Sequence, residues 1–165
     1  MRARPFEIEP FSADQRLVVH SATGQVWHRS FQRVAYADTD RANVVYHANY
    51  LRYFEVGRTE LMRDAGYAYA RVEADGFLFP VVGVNVEYLR SLRYDDPAWI
   101  YTRPGAAEDG IRFTFEYLIC HAERKDVMCI GSTTHCTLGH KGKPIAMEAH
   151  AAALWHDFPK LLKAG

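Results

Sequence analysis

The segment NYLRYFEVGRTELMRDA, residues 49–65, constrains the fold more than any other part of the chain. Tyr50, Phe54, Gly57, Leu61 and Ala65 recur at steps of four, three, four and four, which traces one apolar face of a helix. Arg52, Arg63 and Asp64 lie off that face, and Gly66 follows where a left-handed residue commonly closes a helix. Gly57 weakens such a helix by roughly 1 kcal/mol relative to alanine, so its presence predicts a neighbour packed tightly against it.

After this helix the pattern changes to alternation. FPVVGVNVEYL puts Val82, Val84, Val86 and Tyr88 on one side of a strand, and IRFTFEYLICH does the same with Ile111, Phe113, Phe115, Tyr117 and Ile119. RYDDPAWIYTR reads as a turn and a strand, PGAAEDG as a hairpin connection, and DVMCIGSTTHCTLG as a further strand closed by GHKGKP. Before the helix, VWHRSFQRVAY reads as a strand, and FEIEP and RLVVH as short ones. EAHAAALWHDFPKLL closes the chain as a short helix. A strand of ten residues spans about 33 Å and the helix about 25 Å, so a long antiparallel sheet can cradle it. The expected fold is α+β, a long antiparallel sheet wrapped around one central helix. Residues 1–24 form an N-terminal extension and 25–165 the domain. The second face and edges of such a sheet favour self-association.

With 165 residues the chain suits a single domain whose core needs no disulfide or metal support. Lys+Arg and Asp+Glu both total 20, so no global charge favours nucleic acid or an anionic membrane. No apolar run reaches the ~18 residues of a spanning helix, and MRARPFEIEP lacks the apolar core of a secretory signal. Cys120, Cys129 and Cys136 form no C-x-x-C pair and sit in strand-like stretches, which reads as buried thiols in a reducing cytoplasm.

Chemistry concentrates in YADTDRANVVYHANY, residues 36–50. Val34, Tyr36, Asp38 and Asp40 share a strand parity, which puts both acids on one side near the strand end. The loop then delivers His47 to the helix start, where unpaired N–H groups and a partial positive charge polarise a carbonyl oxygen. A carboxylate facing a polarised carbonyl suits acyl transfer or hydrolysis of an activated ester. Two other readings stay open. A D-x-D in a loop is commonly a turn and helix cap. Two acids and a histidine also suit a hard cation, although no third acidic ligand stands at a suitable spacing.

The run YADTDRANVVYHANYLRYFEVGRTELMRDAGY, with FPVVGVNVEYLRSLRYDDP downstream, resembles the 4-hydroxybenzoyl-CoA thioesterase family, whose members have the hotdog fold. The likeness spans residues 26–147 or so. It implies an acyl-CoA thioesterase with Asp40 as nucleophile or general base and the His47 backbone N–H as the donor to the thioester carbonyl. Tyr46 and Asn49 match positions that shape the substrate loop, and Asp38 matches a structural first acid. The family usually has glycine where this chain has Asn43, the best non-glycine residue for a positive φ. No metal or organic cofactor is implied. The partners implied are an acyl-CoA or acyl carrier protein substrate and a second copy in a homodimer or homotetramer, with no nucleic acid and no membrane insertion.

Arg90 and Arg93 are the candidates for the CoA nucleotide, ahead of the basic turn His140–Lys141–Lys143. Glu55 on the helix is a second-choice acid, with Arg58 three residues on as its ion-pair partner. The acidic PGAAEDG stands where family members often carry basic residues, which leaves room for an acyl carrier protein. The alternative to catalysis is a hotdog module that binds acyl-CoA or acyl carrier protein without turning it over.

Overall fold

The computed structural model describes residues 6–107 and 110–146. The expected C-terminal helix, residues 148–162, lies outside the described residues. Six strands form one antiparallel sheet: β1 (Leu17–Val19), β2 (Val26–Arg33), β3 (Val81–Tyr88), β4 (Pro97–Ala107), β5 (Arg112–His121) and β6 (Val127–Cys136). Their spatial order is β1-β2-β4-β5-β6-β3. The helix α1 (Asn49–Asp64) lies across the concave face, and a short α2 (Tyr69–Ala74), which the sequence pattern did not disclose, follows it.

The periodic face of α1 is the buried one: Tyr50, Tyr53, Phe54, Gly57, Leu61 and Met62 all turn to the sheet. A Cβ on Gly57 would stand 2.3 Å from Thr102 Oγ1 and 2.8 Å from Ile100 Cγ2 on β4, so only a bare backbone allows this approach. One turn earlier Phe54 stacks on Tyr117 at 4.3 Å between ring centroids. Its ring leaves no room for a Cβ at Gly131 of β6, which would meet it at 2.5 Å. Gly66 takes φ +84° and closes the helix.

Two sequence expectations are corrected. PGAAEDG is not a hairpin loop from its first residue, because β4 continues to Ala107. The ladder between β2 and β4 reaches Thr102, and the β4–β5 register shifts between Pro104 and Ala107. A proline there interrupts no β2 hydrogen bond. The strand expected to carry Tyr36 and Asp38 ends at Arg33, and Tyr36–Asp38 is a 3-10 turn. Asp38 closes this turn itself: its Oδ2 accepts from the Ala35 N–H at 3.0 Å, a local bond that competes with a ladder.

The outer face of the sheet is covered by the N-terminal segment. Phe6 and Ile8 pack on a buried cluster of Val18, Trp27, Tyr101, Cys120 and Val127, and Ile8 bridges to His20. Burial in this cluster pushes the Cys120 thiol up to about 12, so it stays protonated.

A polar chain runs through the inner core. The His135 Nδ1 faces the Phe79 carbonyl at 2.9 Å, and since a carbonyl only accepts, Nδ1 carries the proton. Burial, reinforced by the charge of Arg58 and opposed by the Phe79 bond, lowers His135 to about 4, so at neutral pH Nε2 is bare. Thr133 therefore donates to Nε2 at 2.7 Å and accepts from the Tyr117 hydroxyl at 2.8 Å. Protonating His135 would turn Nε2 into a donor to Thr133 and upset the Thr133 and Tyr117 bonds, while Nδ1 would go on donating to Phe79. An unfolded histidine titrates near 6.5, so between that pH and about 4 the unfolded state binds the extra proton and stability falls on acidification. Urea unfolding at pH 7 and pH 4.5 is expected to show this residue contributing a loss of roughly 2.5 kcal/mol. His135→Asn should shrink the pH dependence by that amount, and an equal dependence in wild type and variant would contradict a buried neutral imidazole.

Candidate active site

The loop between the 3-10 turn and α1 folds back on itself as a small hairpin. Asp40 N–H donates to the Val44 carbonyl at 2.9 Å and Tyr46 N–H to the Asp38 carbonyl at 2.9 Å, while Thr39 bridges to Val45. Asn43 turns the tip with φ +61°, the left-handed conformation that asparagine tolerates best after glycine. The loop is tied to segment 89–96 through Val45 N–H to Leu92 O at 2.9 Å, and Leu92 N–H in turn donates to the Tyr50 hydroxyl.

The two acids do not share a side. Asp38 is buried, accepting from the Tyr53 hydroxyl at 2.8 Å and lying 3.4 Å from the Arg52 guanidinium. Burial, with the Asp38 carboxylate beside it, raises the Tyr53 hydroxyl far above its ordinary value, so this bond keeps its proton on tyrosine. Asp40 is half-buried. Its Oδ1 accepts from the Ala42 N–H at 2.8 Å, and Oδ2 takes no hydrogen bond or ion pair among the described residues. One carboxylate oxygen thus holds the turn while the other is available.

The helix start lies on the same loop. Asn49 donates from its side chain to the Asp38 carbonyl at 2.9 Å, joining the first helical residue to the acid turn. The His47 N–H has no acceptor among the described residues, and no side chain caps α1. Tyr88, at the end of β3, donates to the His47 carbonyl at 2.7 Å and so fixes that peptide. Sequence reading missed Tyr88 in this role, since alternation places it on a strand face and says nothing of what lies opposite. The His47 imidazole is exposed beside the Tyr46 ring, centroids 4.4 Å apart.

The structure gathers Asp40, Tyr46, His47 and Asn49 on one short loop, with Arg93 on the neighbouring segment. The Arg93 N–H donates to Asp96 Oδ2 at 2.8 Å and its side chain is exposed. Arg90 is turned elsewhere, paired with Asp126 at 3.4 Å. Glu55 lies two turns into α1, exposed, with its carboxylate 3.7 Å from Arg58. It borders a cavity of ≈ 290 Å³ between α1 and the start of β3, whose lining includes Arg58, Thr59, Met62, Phe79 and His135. Among the described residues no helix is long and apolar enough to cross a membrane, and no group of three His, Cys, Asp or Glu side chains could hold a metal ion.

Comparison with known proteins places these features in a family. The thioesterase-like superfamily matches residues 34–155. A putative acyl-CoA thioesterase of Bacillus subtilis, YneP, is 48% identical over 69 residues, 42% of this chain and half of that protein's length. A putative esterase of Aquifex aeolicus is 30% identical over 126 residues, 76% of this chain and 95% of its own. In three dimensions a probable thioesterase from Bartonella henselae superposes with a TM-score of 0.68 at 32% identity, covering 74% of this chain and 99% of that one. The sheet, its central helix and the 34–155 match together show that this chain is a hotdog-fold member of the thioesterase-like superfamily.

Proposed function

We propose that the protein hydrolyses acyl-CoA thioesters, with the chemistry on the 38–47 loop. The observation that carries this reading is the pairing, on one hairpin-like loop, of an unengaged Asp40 Oδ2 with an unengaged His47 N–H at the opening of α1. The thioester carbonyl oxygen docks against the His47 N–H, which grows more favourable as that oxygen becomes negative. Asp40 takes the proton from a water that attacks the carbonyl carbon. Alternatively its carboxylate attacks directly, forming a mixed anhydride that water then opens. In either route the C–S bond breaks and the thiolate of CoA leaves and is protonated. Arg93, exposed on the segment tied to the loop, is a cation for the CoA phosphates, and Tyr46 lies exposed on the loop beside it.

Asp40→Asn should lower kcat by at least about a hundredfold with an unchanged thermal midpoint, measured by thiol release across short, long and aromatic acyl-CoAs. Near-wild-type turnover would remove the assignment, and tight acyl-CoA binding with no thiol release from wild type would favour a binding module. Tyr88→Phe removes one hydrogen bond, worth about 1 kcal/mol, and so should reduce kcat about fivefold. That loss should appear in kcat rather than KM.

A second copy of the chain belongs to this reading. Among the described residues β3 pairs only with β6 and its other edge takes no strand, yet Val82, Val84 and Tyr88 are 57%, 50% and 47% exposed. An unpaired apolar edge invites antiparallel pairing with an identical edge. Such pairing about the middle of β3 sets the Tyr88 end of one copy beside the Val81 end of the other. The loop of one protomer then faces the cavity of its partner. Light scattering on Val84→Asp, which opposes like charges near that axis, should report a monomer with thiol release reduced at least tenfold. A fully active monomer would sink the shared site.

A further inference from the structure

The cavity under α1 has one polar wall that an acyl-chain pocket does not need. Met62, Phe79, Phe115 and Val81 give it apolar sides, but the guanidinium of Arg58 faces it, with a side chain only 17% exposed. Among the described residues its one carboxylate neighbour is Glu55, at 3.7 Å, beyond hydrogen-bond distance. The Glu55 side chain is 67% exposed, so that counter-charge sits mostly in water. A guanidinium has five N–H donors in a rigid fork, and the Tyr117 hydroxyl occupies one direction of it. Behind Tyr117, the acceptors of the chain are taken by its own members: Thr133 by the Tyr117 hydroxyl, His135 Nε2 by Thr133, and the Phe79 carbonyl by His135 Nδ1. The positive charge is felt inside: it holds both the His135 proton and the Tyr117 proton more weakly than burial alone would.

A hydrocarbon tail filling this space would strip water from the cation and return nothing for it. A carboxylate at the tail's end would accept two parallel N–H bonds from the fork, the strongest pairing arginine makes. The Thr59 hydroxyl in the same lining spends its proton on the Glu55 carbonyl at 2.8 Å, so the donors left for a carboxylate are those of Arg58. At ≈ 290 Å³ the space is at the small end for ligand pockets, which favours a short chain over a fatty one. Arg58 stands ten residues beyond Ala48, about 15 Å along the helix from the loop of its own protomer. The β3-paired arrangement is what brings a short substrate within reach of both.

We propose that this cavity receives the far end of an acyl group bearing a terminal carboxylate, so that Arg58 directs the enzyme to CoA thioesters of short dicarboxylic acids. The inference rests on the thioesterase reading. Its test compares length-matched pairs, glutaryl-CoA with pentanoyl-CoA and adipyl-CoA with hexanoyl-CoA, by thiol release. Wild type should favour the carboxylate-terminated member at least tenfold in kcat/KM. Arg58→Met should cut that ratio at least tenfold, and Arg58→Lys, which keeps the charge without the fork, should lie between. A wild-type ratio near one, or a ratio unmoved by Arg58→Met, overturns the proposal while leaving thioester hydrolysis intact. Should Arg58→Met fail to fold, the wild-type ratio and Arg58→Lys decide. Calorimetric titration of Asp40→Asn with the same pairs separates the two readings. Tighter glutaryl-CoA binding that needs Arg58, with no thiol release by wild type, keeps the cavity's assignment and removes the hydrolase.

Discussion

The Asp38 carboxylate is the fixed point from which the loop is hung. It is buried, and a buried carboxylate is tolerated only where donors surround it. Here they come from three directions: the Ala35 N–H of its own turn, the Tyr53 hydroxyl from the middle of α1, and Arg52 from the rim. Its main-chain carbonyl collects two more, from the Tyr46 N–H and the Asn49 side chain. One residue therefore locks the end of the entry segment, the return arm of the loop and the first helical turn into one rigid unit. Asp40, two residues on, and His47, at the other end of the return arm, hold their relative positions because Asp38 does not move.

That unit is useful only if α1 is itself immobile against the sheet. Gly57 and Gly131 let backbone and ring approach where any side chain would intervene, and Phe54 fills the space between them. The close approach brings the polar middle of the core, Tyr117, Thr133 and His135, directly beneath the helix that carries Arg58. Packing density and charge placement are thus coupled: a helix held further off would leave Arg58 in solvent.

Sequence disclosed what repeats. The α1 face from Tyr50 to Ala65 and the inward row Phe113, Phe115, Tyr117, Ile119 were legible because burial imposes a period. Gly57 was legible as an exception to that period. The orientation of Asp38 and Asp40 was not, because strand parity holds only while the strand lasts, and a single side-chain bond to Ala35 ended it. The family resemblance implied different roles for the two acids where parity made them alike; in the structure Asp38 is buried and Asp40 half-buried. Tyr88 and Arg90 show the same limit. Their partners, the His47 carbonyl and Asp126, lie 41 and 36 residues away, and no local pattern reports them.

The segment ahead of the family match deserves to be seen as masonry rather than trimming. Arg29, on the back of the sheet, is 4% exposed. Its guanidinium donates to the main-chain carbonyls of Ala13 and Gln15, both at 2.7 Å, while the rings of Phe11 and Trp99 each lie 4.3 Å away. All of its oxygen partners thus come from the stretch before β1. A chain shortened to begin at residue 16 would keep the helix, the loop and every strand, yet strand a cation on the sheet with its acceptors gone. The outer layer is a foundation for the sheet, although the family match begins only at residue 34, beyond both Arg29 and its acceptors.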